Sequence, residues 1–525
     1  MNAIRIAVWF VIAALLWAAP AAADPGGHGN PHVPSIESIS VVKVVDPFNA
    51  DPFGRLYGTL DMMALVEVRG ERIVVIAHEV FPASTPGQAG NLPGFPVNVP
   101  DAYDGVNRGL GLGAVTAWDL KTGRFSLLIP PKNTAAGEPY NETRHTSGTD
   151  GVKATPWETA LIAEEWTQRV GSGLVAARGG HILEVDPLNP GVLSRVKAMG
   201  AFAHEGVAIQ RVPGSVIIYQ GDENRGGGTW ASVPAVPSFA CAGGAPRRGG
   251  AVYRFLPHQR PRAFGDLQAN GGRLEAFDFH LRQWMAVPAD IVAADNPDVI
   301  RCWADSTLSP VSLWERPEDF EYDHAGGNLY FAVTEKSCVV VGGRCRVDAG
   351  GNTVDAGGNA VSFDGVRNRA GHVVRLNPET GEWSVFVDAD TVNAQFGIEA
   401  PLFGSPDNLG LDHEGRLLIA QDGGSPNDSL WIATPDKDAD GVADHFQRFL
   451  SMAEANLGVP ASCGEPTGFM FLGEKTLLFN FQGGPRTNDF GVVDGANAES
   501  VACAPGGVAV PLSRIMRIKL GGSDD

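Results

Sequence analysis

A recurring hairpin pattern constrains the fold of this chain more than any other feature of its sequence. Each repeat opens on a carboxylate, continues through an apolar strand, a polar turn and a second apolar strand, and closes on another polar residue. The six repeats are Asp61–Glu79, Asp150–Glu165, Glu205–Asp222, Glu318–Glu335, Asp407–Asp422 and Glu465–Gln482. In three of them the two ends lie 17 positions apart. Recurrence of one supersecondary unit is typical of repeat architectures.

Glycine-led strands supply a second repeated element, and they begin at Gly113, Gly180, Gly250 and Gly371. The 66 glycines and 37 prolines fit many short strands joined by turns, and 44% hydrophobic residues provide material for a core. If each repeat is the inner hairpin of one blade, six repeats predict six blades. We therefore expect an all-β fold, a six-bladed β-propeller with loop and insert subdomains.

The opening carboxylates are expected to gather at one mouth of the central channel, because a hairpin returns its two ends to one edge of a sheet. The alternative is that they are solvated turn residues flanking strands. Phe202, Pro317, Pro406 and Pro466 lie near the opening carboxylates, and this apolar setting favours the ring. Converging carboxylates need neutralisation, and oxygen ligands favour hard cations, with Ca²⁺ first and Fe³⁺ or Mn²⁺ as alternatives.

The first 23 residues have the pattern of a secretory signal peptide, with Arg5 before an apolar stretch and small residues before Asp24. A membrane anchor is the alternative, but the stretch from Ile6 to Ala18 is shorter than the roughly 20 residues that a spanning helix needs. We expect Sec-type export to the periplasm or the medium. The predicted organisation is a signal peptide at 1–23, an extension at 24–54, one propeller domain at 55–515 and a tail at 516–525.

Charge and cysteine content agree with an exported protein that does not bind nucleic acid. The formal net charge of −20 disfavours a nucleic-acid partner. Six cysteines suit an oxidising compartment, although 15 pairings are possible. Proximity in sequence favours Cys338 with Cys345, Cys463 with Cys503, and Cys241 with Cys302. A zinc site is the competing hypothesis, but no CxxC or HxxxH pair supports it. We expect a monomer with no membrane span.

A separate acidic loop has the spacing of a calcium-binding loop. Its oxygen donors at positions 1, 3, 5, 7 and 9 are Asp436, Asp438, Asp440, Val442 and Asp444, with Gly441 at position 6. Position 12 is Gln447 where such loops usually carry glutamate. A structural calcium ion is predicted here, and a plain acidic turn is the alternative.

Several short motifs then resemble those of the PhoX-type alkaline phosphatases, over roughly residues 55 to 485. The matching segments are Thr155–Trp157, Ala163–Glu165, Phe202–Glu205, Tyr219–Asp222, Arg316–Asp319, Pro406–Asn408, Glu465–Gly468 and Asn480–Gln482. That family consists of exported β-propeller phosphomonoesterases with a cluster of iron and calcium ions. The resemblance implies Glu205, Glu318 and Asp407 as metal ligands, Glu164 and Glu79 as weaker candidates, and Arg316 as the phosphate-binding arginine.

Arg316 also follows from the residues alone, because its planar fork suits a phosphate, although an ion pair with Glu315 or Asp319 accounts for it equally well. The chain departs from the family at Ala163, where the family has an iron-ligating cysteine. Calcium is therefore the expected cofactor. Iron is the alternative, but this chain lacks the cysteine thiolate that would ligate it. Ala77 replaces the asparagine of the family's Asn-His-Glu, and Gly483–Pro485 replaces its His-Pro-Gly.

Three hypotheses about function result from these patterns. The first is an exported, metal-dependent hydrolase of phosphate monoesters, with Arg316 holding the phosphate. The second is a propeller that has kept its fold and calcium but serves as a binding module, which Ala163 favours. The third is a propeller hydrolase of another ester, such as a lactone, because one fold hosts many chemistries.

Overall fold

Six antiparallel sheets follow one another along the chain as the blades of a β-propeller. The computed structural model describes residues 34, 36–45, 60–78, 113–130, 141–165, 167, 179–224, 229–230, 233–245, 247–309, 312–334, 345–347, 353–355, 371–388, 403–421, 429–451, 464–483 and 513–520. Each blade begins with one of the six predicted hairpins, and the four glycine-led strands lie third in their sheets. The predicted all-β, six-bladed propeller is thus confirmed.

The strands of each sheet are given in their order from the channel outward. Blade 1 contains β2 (Leu60–Val68), β3 (Glu71–His78), β4 (Ala114–Asp119) and β5 (Phe125–Ile129). Blade 2 contains β6 (Thr149–Ala154), β7 (Ala160–Glu164), β8 (Ile182–Val185) and β9 (Leu193–Arg195). Blade 3 has five strands, β10 (Val207–Val212), β11 (Ser215–Gly221), β12 (Val252–Pro257), β13 (Gly272–Asp278) and β14 (Gln283–Ala286).

The second half of the chain repeats the arrangement. Blade 4 contains β15 (Pro317–Asp323), β16 (Asn328–Val333), β19 (His372–Leu376) and β20 (Trp383–Asp388). Blade 5 contains β21 (Pro406–Leu411), β22 (Leu417–Gln421), β23 (Ser429–Ala433) and β24 (Phe446–Ser451). Blade 6 contains β25 (Gly464–Phe471), β26 (Thr476–Gly483), β27 (Ser513–Leu520) and β1 (Ile36–Val45). A separate hairpin pairs β17 (Cys345–Val347) with β18 (Thr353–Asp355).

The first strand of every blade contacts the first strand of the next, which closes a ring around the channel. Between the blades, apolar side chains of neighbouring sheets pack together. Leu161 of blade 2 and Ile218 of blade 3, for example, are fully buried in one cluster. Burial of each such side chain contributes about 1.5 to 3 kcal/mol. Period-two alternation produces this packing, because each strand presents apolar residues to both adjoining sheets.

The ring is closed by pairing the two ends of the chain. Strand β1 lies antiparallel to β27, with Ile39 opposite Ile518, and so completes blade 6. Both strands lie partly or wholly outside the predicted propeller at 55–515, so the propeller extends beyond those bounds at both ends. The extension 24–54 contributes an outer strand, and β27 continues through Leu520 into the predicted tail. The predicted signal peptide lies outside the described residues.

Three short helices belong to segments of the chain around blade 3: α1 (Asp266–Asn270), α2 (Ala289–Ala293) and α3 (Pro297–Thr307). Cys302 of α3 forms a disulfide with Cys241, with a Cα–Cα distance of 5.9 Å, which confirms that predicted pair. The other two predicted pairs stay predictions, because Cys338, Cys463 and Cys503 lie outside the described residues. None of the helices described is both long and apolar enough to cross a bilayer.

Candidate metal centre

Three carboxylates predicted as ligands meet where the inner strands begin. Oxygen atoms of Glu205, Glu318 and Asp407, from three consecutive blades, all lie within 4.8 Å of one another, and the three residues are buried. The convergence expected from the hairpin spacing is therefore present for three of the six opening carboxylates. Metal ligation by these residues stays a prediction.

Irregular strand pairing shapes this end of the channel. The register of β15 with β16 shifts between Pro317 and Phe320, and that of β21 with β22 shifts between Pro406 and Leu409. A β-bulge bends a strand and turns a side chain away from the regular alternation. Glu318 and Asp407 both lie inside such shifts. The same local irregularity that interrupts the ladder thus accompanies the two candidate ligands.

A second set of carboxylates shares Glu205 with the first. Oxygens of Glu165, Glu205 and Glu223 also lie within 4.8 Å of one another. Neither Glu165 nor Glu223 was among the residues predicted as ligands. Glu165 closes the repeat Asp150–Glu165, and Glu223 directly follows Asp222, which closes another repeat. Their positions at or beside hairpin ends were the available signal, and together the two sets place five carboxylates in one site.

Glu164 does not join this site, although it was a weaker candidate ligand. Its carboxylate accepts hydrogen bonds from Thr146 Oγ1 at 2.8 Å and from the backbone N–H groups of Ser147 and His181 at 3.1 Å each, and it pairs with Arg195. Burial alone would raise the pKa of Glu164, but the Arg195 and His181 interactions outweigh it and lower this pKa to about 2. Glu164 is therefore a buried, fully engaged ion-pair partner.

Asp222 is engaged in the same way by a helix. Arg301 of α3 donates from Nε to both carboxylate oxygens of Asp222, at 3.0 and 2.8 Å, and from Nη2 at 2.5 Å. This fork-like contact fixes the end of β11 immediately before Glu223. The Cys241–Cys302 disulfide holds the same helix one residue further on. The insert near blade 3 thus anchors the backbone that carries one of the site carboxylates.

The site is electrostatically unbalanced. The pKa of Glu205 is raised well above its usual range. Burial is the largest cause, and the charges of the neighbouring carboxylates add to it, in the order Glu318, Glu223, Asp150 and Asp407. Burial also raises the pKa of Glu318, to about 7, even though the Arg316 charge opposes the shift. Repulsion among buried carboxylates is relieved either by protons or by bound cations.

Buried oxygen atoms also lack donors at this site. Among the residues that the structure describes, none donates a hydrogen bond of normal geometry to Oε2 of Glu205 or to Oε2 of Glu318. Buried polar atoms in native proteins almost always have a partner, and a bound cation can be the partner of a carboxylate oxygen. Oxygen donors in this number and charge suit hard divalent or trivalent cations. The residues present therefore fit the calcium ions of the metal group that the family resemblance implies, whereas Ala163 supplies no thiolate for its iron.

Arg316 lies against both sets of carboxylates. Its Nε is 3.0 Å from Oε1 of Glu318 and also pairs with Oε1 of Glu223. The described contacts of Nε are thus with Glu318 and Glu223, and an ion pair with Glu315 or Asp319 stays the alternative. The arginine therefore lies where its guanidinium could contact an anion held at the carboxylates, although its predicted role in phosphate binding stays a prediction.

The predicted calcium loop joins β23 to β24. Carboxylate oxygens of Asp436, Asp438 and Asp444 lie within 4.8 Å of one another. Asp440 is not in this set, and its Oδ1 accepts a hydrogen bond of 2.8 Å from the backbone N–H of Val442. Arg375 pairs with Asp436 at 2.6 Å and so compensates part of the loop's charge. Three of the predicted donors are thus brought together, and a calcium ion here stays a prediction.

Glu79 and Ala163 are the remaining predicted positions near the site. Glu79 lies outside the described residues. Ala163 is fully buried and packs in the apolar cluster that also contains Leu161 and Phe202. On strand β7 its side chain lies on the face opposite to that of Glu164. The position at which the family carries a cysteine is thus filled by a buried methyl group in this cluster.

Comparisons with solved structures agree with this fold. The chain is similar to PhoX of Pseudomonas fluorescens, whose structure was solved with vanadate, a transition-state analogue. The two chains are 18% identical, and the TM-score is 0.56. The match covers 94% of this chain and 98% of that one. A Fusarium graminearum α-L-arabinofuranosidase matches with 9% identity over 91% of this chain and 96% of that one, at a TM-score of 0.41. At 18% identity the likeness to the Pseudomonas structure concerns the fold alone. A search of curated proteins found no match.

A comparison with protein families is more specific. A profile described as "Alkaline phosphatase PhoX" matches residues 149–242 and 238–484, which is more than half of the chain. The matched region contains the five site carboxylates, Arg316 and the acidic loop. The resemblance found in the short motifs is thereby confirmed: the chain belongs to the PhoX family of alkaline phosphatases.

Proposed function

We propose that this protein is an exported, metal-dependent phosphomonoesterase. Family membership supports a phosphatase-type propeller hydrolase. The observation that carries the metal dependence is the meeting of Glu205, Glu318 and Asp407, which are buried with oxygens within 4.8 Å of one another. Among the described residues, none donates a hydrogen bond of normal geometry to Oε2 of Glu205 or Oε2 of Glu318. Export is supported by the leader-like sequence at 1–23 and by the Cys241–Cys302 disulfide, which suits an oxidising compartment.

The proposed role of each site residue follows from the chemistry of its side chain. Glu205, Glu318 and Asp407 would hold one cation, and Glu165 and Glu223 would complete a neighbouring position through the shared Glu205. When bound, such cations polarise phosphoryl oxygens and activate an oxygen nucleophile. The planar guanidinium of Arg316 would bind two phosphate oxygens and stabilise charge that develops on them.

The buried setting contributes as well. Glu205 and Glu318 are at most 3% exposed, so the site excludes most water and electrostatic interactions within it are strengthened. A cation that binds here also displaces protons, because burial and mutual repulsion have raised the pKa values of Glu205 and Glu318. Metal binding and turnover are therefore expected to improve as the pH rises, which agrees with an alkaline phosphatase.

We further propose that the loop at Asp436–Asp444 binds a structural Ca²⁺ independent of the reaction. Asp436, Asp438 and Asp444 supply the clustered oxygens. In this loop Arg375 orients Asp436, and a backbone N–H of Gly441 donates to the same carboxylate at 2.9 Å. Calcium is the proposed principal cofactor. Iron is the less favoured occupant of the central site, because Ala163 supplies no thiolate.

A metal inventory paired with a phosphomonoesterase assay tests this function. Protein purified without chelator should contain more than one metal ion per chain, and it should hydrolyse p-nitrophenyl phosphate with Ca²⁺, Mn²⁺ or iron supplied. The double variant Glu205→Gln, Asp407→Asn should lose central metal and activity while keeping the loop calcium. Metal without hydrolysis would instead support the binding module, and hydrolysis of lactones but not phosphate esters would support the third hypothesis.

A further inference from the structure

Asp319 is a buried carboxylate next to Glu318, and it binds backbone from more than one blade. Its Oδ2 accepts a hydrogen bond of 2.9 Å from the backbone N–H of Leu409 in blade 5. Its Oδ1 accepts one of 2.7 Å from the N–H of Phe320 in its own strand. The residue is 0% exposed, so these contacts are made out of water. One side chain thus joins β15 directly to β21.

Blade 3 approaches the same carboxylate from the other side. Gly206 comes immediately before β10, and a Cβ atom built on it would overlap both Oδ1 and Cα of Asp319. Only glycine allows the backbone of blade 3 to come this close. Asp319 is therefore packed between the backbones of blades 3 and 5 while belonging to blade 4.

The three backbones that meet at Asp319 are those that carry the central carboxylates. Glu205 precedes Gly206, Glu318 precedes Asp319, and Asp407 lies two residues before Leu409. The regular ladders are interrupted here, between Pro317 and Phe320 and between Pro406 and Leu409. Ordinary cross-strand pairing is therefore incomplete at Glu318 and Asp407, and side-chain contacts contribute to holding these two segments.

We propose that Asp319 is a positioning residue that sets the three ligand-bearing strands at the spacing a shared cation requires. This inference rests on the proposed metal-dependent function, and it assigns Asp319 no contact with metal or substrate. A binding constellation needs its members held to within about 0.5 Å, and supporting hydrogen bonds supply that precision. Loss of the Asp319 carboxylate releases Leu409 and opens the packing against Gly206.

The matched control is Asp278, a buried carboxylate outside the cluster at the end of β13. It accepts backbone hydrogen bonds from His280, Leu281 and Ser309 at 3.0, 2.9 and 2.9 Å. Its removal should destabilise the fold through the loss of similar bonds. These bonds involve none of the three ligand-bearing segments, so the Asp278 variant should keep wild-type metal affinity.

The first measurement is Ca²⁺ titration of metal-stripped protein by calorimetry, well below the melting temperature. Asp319→Ala should weaken binding at the central site by about ten-fold or more, and Gly206→Ala should weaken it too by displacing the carboxylate. Asp319→Asn keeps an oxygen that can accept from Leu409 and should retain more affinity than Asp319→Ala. Wild-type affinity in Asp319→Ala, or an equal loss in Asp278→Ala, would overturn the proposal.

A second measurement separates this inference from the proposed function. Amide hydrogen exchange at Leu409, followed in metal-stripped protein, reports the bond to Asp319 without any metal. We expect exchange at Leu409 to be about ten-fold faster or more in Asp319→Ala and unchanged in Asp278→Ala. Unchanged exchange in Asp319→Ala would overturn the positioning role. If wild-type protein binds no metal yet Leu409 responds as expected, the metal-dependent function fails and the locking of the strands by Asp319 stands.

Discussion

Nε of Arg316 lies 3.0 Å from Oε1 of Glu318 and also contacts Oε1 of Glu223, so one guanidinium bridges the two sets of site carboxylates. Its backbone has a φ of 56°, in the left-handed region that non-glycine residues rarely occupy. Such a conformation costs of order 1 to 3 kcal/mol and tends to persist at functional sites. The structure thus maintains Arg316 in a specific place beside the carboxylates.

Replacement of Arg316 by lysine should reduce kcat/KM for a phosphomonoester by about ten-fold or more. Lysine keeps the charge but loses the planar fork, and a charge-assisted hydrogen bond contributes roughly 1.5 to 3 kcal/mol. Steady-state kinetics with p-nitrophenyl phosphate measures the effect. Arg282→Lys is the control, because Arg282 is exposed and pairs with Glu382 at the surface. Activity of Arg316→Lys equal to that of wild type would remove Arg316 from the phosphate site.

Metal-stripped protein should become less stable as the pH rises from about 4.5 to about 8. Burial raises the pKa of Glu318 from 4.5 to about 7, despite the opposing Arg316 charge, and burial raises the pKa of Asp319 from 3.8 to about 8. A carboxyl whose pKa is raised on folding stabilises the native state below its unfolded pKa, and this contribution is lost as the pH rises through the folded pKa. Thermal melts across this range measure the trend.

Added Ca²⁺ should reverse that trend at the alkaline end. A cation binds the deprotonated carboxylates of the folded state and adds RT ln(1 + [L]/Kd) to its stability. At a pH of about 8 the melting temperature should therefore rise with Ca²⁺, and chelation should lower it again. Glu318→Gln should flatten the pH dependence of the stripped protein. A melting temperature that is insensitive to chelator would contradict both proposed calcium sites.

The Asp438→Ala variant should lose part of the calcium-dependent stabilisation while retaining hydrolysis. Asp438 belongs to the loop set of carboxylates with Asp436 and Asp444, and this set shares no residue with the central site. Calcium titrations followed by melting temperature should show one fewer site, and kcat should stay within about two-fold of wild type. Loss of activity together with the loop calcium would mean that the two sites are coupled.

Loss of the Cys241–Cys302 bond should lower stability by roughly 2 to 4 kcal/mol, because the bond closes a long segment with a sequence separation of 61. The double variant Cys241→Ser, Cys302→Ser also loosens α3, which carries Arg301 to Asp222. Denaturant titration with and without reductant measures the change. Reductant should destabilise the double variant less than wild type, and equal sensitivity would place the redox effect elsewhere.

Local patterns predicted the blades well. Each hairpin repeat is defined by alternating strands, a turn and its terminal carboxylates, all within about 18 residues, so the fold and the meeting of Glu205, Glu318 and Asp407 followed from the sequence. The sequence did not show which of two adjacent carboxylates, such as Glu164 and Glu165, faces the site. A shift of one position moves a strand side chain to the opposite face, and irregular pairing at strand ends makes that shift invisible in a single sequence.

Long-range partners account for the positions of Glu164, a weaker candidate ligand, and of Asp222, the closing residue of a repeat. Arg195 forms an ion pair with Glu164, 31 positions away in the sequence, and Arg301 forms one with Asp222, 79 positions away. No local pattern indicates either pair. With those two carboxylates occupied, the residues that follow them, Glu165 and Glu223, face the site.

The adjacent glutamates provide the sharpest test of this assignment. Glu165→Gln should weaken central metal binding and lower kcat by about ten-fold or more, because it removes a proposed ligand. It should leave the stability of metal-stripped protein unchanged or slightly higher, since one repelling charge is lost. Glu164→Gln should do the reverse, destabilising the fold by roughly 3 to 5 kcal/mol through the uncompensated buried charge of Arg195, with little change in the metal affinity of the folded fraction.

Calcium titration and denaturant unfolding of the two variants, run side by side, decide between the neighbours. The two substitutions are chemically identical and one residue apart, so differences in expression or net charge cannot account for opposite outcomes. Their side chains lie on opposite faces of the same chain segment, one against Arg195 and one against Glu205. If Glu164→Gln instead abolished metal binding at wild-type stability, the ion pair with Arg195 would not persist in solution, and Glu164 would be the ligand after all.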